Sequence, residues 1–350
     1  STNEGAHAWA KLADALAVKH RDAQVGDGLP AAVLGLPRAT IAEAASAPTV
    51  ILLGPDLKEE LPVLYLRLRD AAERKRTRII EFSSHVTGMS RYAWRSVLCH
   101  PGGAPAEIVA TLADPTVAAQ LAEGDVVVVA GRSNLAESEA VALASLHAVL
   151  GAVPTARVLP ALRRGNVVGA LQLGLAPAAP ERDGLATLQA AADGRLDLLI
   201  LLGADPMSDC PDADLARRAL AGARRVISID AFMSDSSALA DLVLPAATIG
   251  EQSGTTTNLE GRVSPVNQKV TPHGTSRPDW MIATELAARL GHDLGFDSVE
   301  TVTDAIAANV TGYSGVTRAA LDAAPAGIVA SGSFGPLPQP AAEAPAKEYF

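Results

Sequence analysis

Short continuous apolar runs with glycine close by punctuate the chain at Thr49–Leu53, Asp125–Ala130, Leu196–Leu202 and Arg225–Ile229. Each is strand-sized and rich in branched side chains. A run without polar alternation suits a strand buried on both faces, as in a parallel sheet covered by helices on each side. Between the runs the period becomes helical. In EELPVLYLRLRDAAERKR the apolar residues Leu61, Leu64, Tyr65, Leu68 and Ala72 fall on one helical face, and Pro62 suits the first turn. In CPDADLARRALAGARR the face is Leu215, Ala216, Ala219 and Leu220, with Asp212 as N-cap and Gly222 near the C-terminus. Alternating strands and helices predict an α/β fold with parallel sheets.

The units repeat weakly. VILLGPDLKEELPVLYLRLRDAAERKRTRIIEF at 50–82 and LILLGADPMSDCPDADLARRALAGARRVISIDA at 199–231 both read strand, Leu-Gly-x-Asp, acidic loop, helix, basic helix end, strand. A third strand, Gly-Arg turn and helix lies between them, so the chain holds two related nucleotide-fold modules. After DLVLPAA, which reads as a buried strand, comes GEQSGTTTNLEGR. The β-branched Thr255–Thr257 favour an extended strand, Glu260-Gly261 permits a tight turn, and Val263–Val270 can return antiparallel. From Pro325 onward Pro, Gly and Ala occur without a period, which reads as a loosely ordered tail.

Composition narrows the options. The 350 residues suit two or three domains, and 48% hydrophobic residues with only 3% aromatics imply cores of Ala, Val, Leu and Ile. A net charge of −10 disfavours nucleic-acid or anionic-membrane partners. The one basic cluster, ERKRTR at 73–78, reads as the cationic end of a helix. Cys99 and Cys210 stand far apart with no companion at CxxC spacing, which argues against a disulfide framework and for a reducing compartment. No apolar run approaches the ~18 to 20 residues of a membrane span. The helical pattern that starts at once after Ser1 reads as a piece of a longer polypeptide without a signal peptide.

Ligands of open parallel sheets sit beyond the carboxyl ends of the strands. That places candidate loops at Gly54-Pro55-Asp56, Gly131-Arg132-Ser133 and Gly203-Ala204-Asp205, none of which matches GxGxxG or a P-loop. Asp205, Asp209, Asp212 and Asp214 form an acidic cluster without calcium-loop spacing, better read as helix capping. His85, His100, His147, His273 and His292 show no metal or dyad grouping. LPALRRGNVVGALQLGLAP contains Asn166, Gly169, Gly174 and Pro177 at N-x2-G-x4-G-x2-P spacing, which no regular helix would select.

That loop, followed by LLILLGADPMSDCPD and RRVISIDAFMSDSSALADLVLPAATIGEQSGTTTNLEGRVSPVNQ, resembles the molybdopterin oxidoreductase family, which includes formate dehydrogenases and nitrate reductases. GTTTNLEGR and RPDWMIATELAARLG are particularly like the large iron-sulfur subunit, the G subunit, of bacterial NADH-quinone oxidoreductases (respiratory complex I). The resemblance implies two Rossmann-like domains, one inserted in the other. On that map 1–30 ends the first half of the outer domain, 31–160 is the insert, and 161–249 is the returning half. Residues 250–275 would be a β-hairpin reaching back to an iron-sulfur domain, 276–324 a helical segment, and 325–350 the tail.

For chemistry, the resemblance implies a peripheral-arm scaffold beside an iron-sulfur path from NADH to quinone, on the cytoplasmic side of the cell membrane, in a proton-translocating oxidoreductase. Partners would be the other peripheral-arm subunits and the iron-sulfur domain met through 250–270. No catalytic residue and no metal ligand is assigned, and iron-sulfur clusters are expected outside this stretch. A vestigial pterin-nucleotide site would involve Gly54, Asp56, Gly131, Arg132, Asn166, Gly169, Gly203, Asp205 and Asp230. The alternatives are a molybdopterin-guanine-dinucleotide enzyme such as a formate dehydrogenase, and a free-standing nucleotide-binding α/β protein.

Overall fold

The computed structural model describes residues 1–132, 137–330 and 334–340. The chain forms two compact units, residues 1–27 with 164–330, and residues 28–163 with 334–340. The second is thus an insert within the first. Among the described residues no helix is long and apolar enough to cross a membrane.

The inserted unit is built on five parallel strands: β1 (Thr49–Leu53), β2 (Arg78–Ser83), β3 (Arg95–Leu98), β4 (Val126–Ala130) and β5 (Arg157–Pro160). Their order is β3-β2-β1-β4-β5, and every pairing is parallel. The chain moves outward from β1 to β3, then restarts at β4 on the other side. The strand order therefore reverses between β1 and β4, both buried along their whole length. The helix Pro62–Glu73 buries Leu64, Tyr65, Leu68 and Ala71. Its stripe is centred on Leu64, Leu68 and Ala71, so Ala71 takes the inward position expected for Ala72, as a 3.6-residue period requires.

The basic run at 73–78 lies at this helix's end, as expected. The helix stops at Glu73, Lys75 takes a left-handed φ of 53°, and Arg74 and Arg76 fold back onto Asp70 at 2.8 and 2.9 Å. The cations therefore answer a carboxylate as well as the end of the helix.

The outer unit contains two sheets. β6 (Leu199–Leu202), β7 (Val226–Asp230) and β8 (Leu242–Pro245) are parallel in the order β6-β7-β8. β9 (Gly254–Thr257), β10 (Arg262–Val266) and β11 (Ile328–Val329) form an antiparallel sheet in the order β11-β10-β9. Gly261, at φ 83°, makes the turn between β9 and β10. β11 lies within the stretch read as aperiodic, and His147 meets the Pro338 carbonyl oxygen at 2.8 Å further along it. The remainder of that stretch, 331–333 and 341–350, is outside the described residues.

Two expectations of burial fail here for one reason. β8 and β6 are sheet edges, so Leu242 is 48% and Ile200 38% exposed, where DLVLPAA and LLILLGA read as buried on both sides. Elsewhere the predicted face is in place: Leu215, Ala216, Ala219 and Leu220 pack with Leu188 and Leu199. A second core gathers Trp9, Leu173, Val263, Trp280 and Tyr313.

Small residues set the helix spacing. A Cβ on Gly222 would lie 2.4 Å from the Ala191 carbonyl oxygen, so the helices Gly184–Ala192 and Ala213–Gly222 meet backbone to backbone. Gly222→Ala must push them apart and should cost about 1–3 kcal/mol, read as a lowered urea midpoint. Gly151→Ala, where a Cβ meets nothing within 4 Å, should leave the midpoint unchanged or raise it slightly.

Candidate functional site

In the inserted unit the strand order reverses between β1 and β4, and open α/β sheets bind ligands at the carboxyl ends of strands beside such a reversal. Gly54 follows β1 and Gly131 follows β4, and the Gly131 N–H donates to the Leu53 carbonyl oxygen at 3.1 Å. Gly131 is held tightly, since a Cβ there would lie 2.8 Å from the Ala161 carbonyl oxygen. Asp56 caps the short helix Leu57–Glu60 by accepting the Lys58 N–H at 3.0 Å. Its second oxygen accepts the Gly88 N–H at 3.1 Å. Arg132 is buried and its guanidinium donates to the Glu137 carbonyl oxygen, so it serves the chain itself. Ser133, the last residue of that predicted loop, lies outside the described residues.

The outer unit repeats the device. Gly203 follows β6 at φ 55°, and its N–H donates to the Ile229 carbonyl oxygen at 2.8 Å. Asp205 accepts the Ser236 N–H at 3.1 Å and the Ser236 and Ser208 hydroxyls at 2.5 and 2.8 Å. Burial opposes ionisation of Asp205, but these donors outweigh it and hold the carboxyl below its ordinary range. Asp56 and Asp205 thus each tie down the loop after the next strand, at Gly88 beyond β2 and Ser236 beyond β7. Asp230, at the end of β7, accepts the N–H groups of Ala231 and Phe232 at 2.7 and 3.3 Å. Of the acidic cluster, Asp212 caps the helix Ala213–Gly222 and Asp209 shares Arg164 with buried Asp27.

Asn166 and Gly169 belong to a different arrangement. Asn166 sits at φ 64°, accepts the Thr257 N–H at 2.7 Å and donates to the Ser1 carbonyl oxygen at 3.0 Å. A Cβ on Gly169 would lie 2.1 Å from Asn3 Oδ1, 2.4 Å from Asn166 Oδ1 and 3.0 Å from Thr257 Oγ1. The N-x2-G spacing therefore admits the start of the helix Asn3–Ala15 and the strand β9.

There Asn3 Nδ2 donates to the hydroxyls of Thr255 and Thr257, both at 3.0 Å. Fully buried Glu4 accepts the Thr255 N–H at 2.8 Å and the hydroxyls of Thr255 and Thr303 at 2.9 Å each. The Thr257 hydroxyl meets the Tyr313 hydroxyl at 2.8 Å, and Tyr313 reaches Gln172 Oε1 at 3.1 Å. Burial pushes the Glu4 carboxyl above the usual carboxylate range, with the threonine donors pulling the other way. One turn on, His7 is buried with its ring centre 6.0 Å from that of Phe296. Burial, reinforced by the charge of Lys11, pushes the His7 pKa down to about 4.

This network answers why three threonines stand in a row. The outer two point to one side of β9 and satisfy a buried carboxylate and amide more than 250 positions away. Sequence reading missed Asn3, Glu4, Thr303 and Tyr313. The available signal was the alternation of Thr255 and Thr257 on one strand face, but their partners are unrelated in sequence.

The candidate residues divide between the units: Gly54, Asp56, Gly131 and Arg132 in the insert, and Asn166, Gly169, Gly203, Asp205 and Asp230 in the outer unit. Among the described residues no three of His, Cys, Asp and Glu converge as a metal site. Cys99 and Cys210 are free and buried, and burial raises both thiols above their ordinary range.

Residues 10–289 match the molybdopterin oxidoreductase family, and the chain belongs to it. It is 31% identical over 348 residues to the G subunit of the NADH-quinone oxidoreductase of Mycobacterium bovis, covering 88% of this chain and 42% of that one. Against the alpha subunit of the NADPH-Fe(3+) oxidoreductase of Geobacter sulfurreducens identity is 31% over 201 residues, 51% of this chain and 24% of the relative. Against the alpha subunit of the F420-dependent formate dehydrogenase 2 of Methanococcus maripaludis it is 34% over 128 residues, 36% and 19% of the two chains. The chain thus spans less than half the length of these curated relatives.

A pterin nucleotide does not fit the nine residues taken together. The Asn166 amide is engaged at both ends, the space over Gly169 is filled by Asn3 and Thr257, Arg132 bonds within its own loop, and Asp56 and Asp205 are staples. What stays open is the backbone at Gly203, which is exposed and where a Cβ meets nothing within 4 Å, whereas Gly54 and Gly131 are buried.

Two outcomes test the network. Gly169→Ala should destabilise the protein by about 1–3 kcal/mol in urea unfolding, because the methyl must displace groups that Glu4 and Thr257 depend on. An unfolded histidine titrates near 6.5 and folded His7 near 4, so the stability held by neutral His7 is complete above about pH 6.5 and lost as pH falls towards about 4. The stability difference between wild type and His7→Phe should shift across that window, and a pH-independent difference would refute the assignment.

Proposed function

We propose that this chain is the Rossmann-fold scaffold of a component like the G subunit of a proton-pumping NADH-quinone oxidoreductase, and that it carries no reaction itself. The supporting observation is likeness to such a subunit along 88% of the chain. The inward-turned Asn166 and Gly169 agree with it, since a scaffold can spend these groups on its own packing. The iron-sulfur clusters then belong to the part of the protein beyond this stretch, and the pterin site is vestigial. The assembly stands on the cytoplasmic side of the membrane with its partner subunits. The threonine face of β9 is used internally, so contact with an iron-sulfur domain through 250–270 falls to the exposed Asn258 and residues 267–270.

A second reading, a molybdenum formate dehydrogenase, is supported by the 34% identity over 128 residues to the methanogen enzyme. Under it the open Gly203 backbone and Asp230 would hold a nucleotide portion of the pterin.

Metal and pterin analysis of the native full-length protein separates the two. The scaffold reading expects iron and acid-labile sulfide without stoichiometric molybdenum, tungsten or pterin. One molybdenum or tungsten per protein would replace it with the second.

A further inference from the structure

The inserted unit concentrates positive charge at one edge of its sheet. Residues 65–95 contain eight Arg and Lys against three Asp and Glu, within a chain whose net charge is −10. The acids are already engaged. Asp70 holds Arg74 and Arg76, Glu73 lies 3.7 Å from Arg69, and buried Glu81 accepts the hydroxyls of Thr87, Ser90 and Ser96. Arg78, Arg91 and Arg95 are exposed and form no ion pair within 4.0 Å among the described residues, although the charge of Arg95 acts on Asp114, and Glu107 and Glu137 act on Cys99 just beyond β3.

They are nevertheless ordered. The Arg78 and Arg95 guanidiniums lie 4.8 and 5.2 Å from the centre of the Trp94 ring, and Arg91 lies 5.0 Å from that of Tyr92. A guanidinium resting over a ring face is held by the ring without using its N–H groups, which stay available for a carboxylate. Beside them runs β3, the edge strand of the sheet, with Leu98 57% exposed. At the opposite edge β5 is met by the bridge from Arg38 to Val158, whereas β3 has no outer partner among the described residues.

We propose that β3 and the Arg78, Arg91, Arg95 cluster form the docking edge for an extended, acidic segment of a partner protein. The segment adds a strand to β3, seats an apolar side chain near Leu98 and places carboxylates on the stacked arginines. Strand addition supplies main-chain hydrogen bonds and side-chain pockets supply selection. Charge complementarity decides the sign of the partner. The open peptide edge decides its class, because a nucleic acid offers no strand to pair and the whole chain repels a long polyanion. The proposal is independent of whether the pterin site is vestigial.

The test uses the full 350-residue chain and a labelled peptide alternating Glu and Val, with a Lys and Val peptide and a single-stranded oligonucleotide as competitors. Fluorescence anisotropy should show binding of the Glu-Val peptide that weakens as salt rises. Arg78→Gln with Arg95→Gln should weaken it about tenfold or more, the size of change expected when charged interface groups are neutralised. Arg67→Gln with Lys75→Gln should have little effect. Hydrogen exchange on the unmodified chain should show peptide-dependent protection of the amides of 95–98, which keeps the test decisive if the double variant misfolds. Absence of binding, equal binding of the Lys-Val peptide, preference for the oligonucleotide, or protection elsewhere would overturn the proposal. In those cases the cations would only guard an edge against aggregation, as charges on edge strands commonly do.

Discussion

A carboxylate with no exposed surface must be satisfied by the protein around it, and the outer unit is organised by how Glu4 meets that demand. Its three donors come from β9 and from the helix Val299–Asn309, segments 251 and 299 positions away. Asn3 and Asn166 extend the same network to Thr257, and Tyr313 closes it. Because a half-satisfied buried network is worse than an apolar core, these segments must arrive together or not at all. The helix Asn3–Ala15, the N-x2-G loop and the hairpin are therefore one structural decision. The apolar cluster of Trp9, Val263 and Trp280 supplies the burial that makes the network's environment dry.

The two modules also share a device at a smaller scale. An Asp just beyond a strand-end glycine receives a backbone N–H from the loop after the neighbouring strand, Gly88 for Asp56 and Ser236 for Asp205. The two lie in separate sheets, which suits related modules with one inserted in the other. In both, the carboxylate rigidifies the corner where a ligand would sit; Gly203 is exposed there and Gly54 is buried. Likeness to an NADH-quinone oxidoreductase subunit and to a formate dehydrogenase subunit alike is compatible with such a corner.

Charge is unevenly shared. Most ion pairs in the outer unit are exposed and worth little individually, as with Arg224 and Asp197, which are 78% and 88% exposed. At the β3 edge, by contrast, Arg78 and Arg95 lie over the Trp94 ring. That arrangement keeps their hydrogen-bonding capacity available.

Much of the fold could be read from residues close in sequence. The parallel strands at Thr49–Leu53 and Val126–Ala130, the stripe through Leu215, Ala216, Ala219 and Leu220, and the turn at Gly261 each depend on local period or on one residue's backbone freedom. Family membership was legible too, from the strings around Asn166 and the threonine hairpin, which lie within the matched residues 10–289. What lay beyond reading was each group's partner. Whether β6 and β8 were central or edge strands, and hence whether Ile200 and Leu242 were covered, depended on strand order, which the apolar runs do not encode. Whether Asn166, Asp56 and Asp205 faced a ligand or the protein depended on Asn3, Thr257, Gly88 and Ser236 arriving from elsewhere. Periodicity reports the face a side chain takes on its own element, and only packing in three dimensions supplies the atom on the other side.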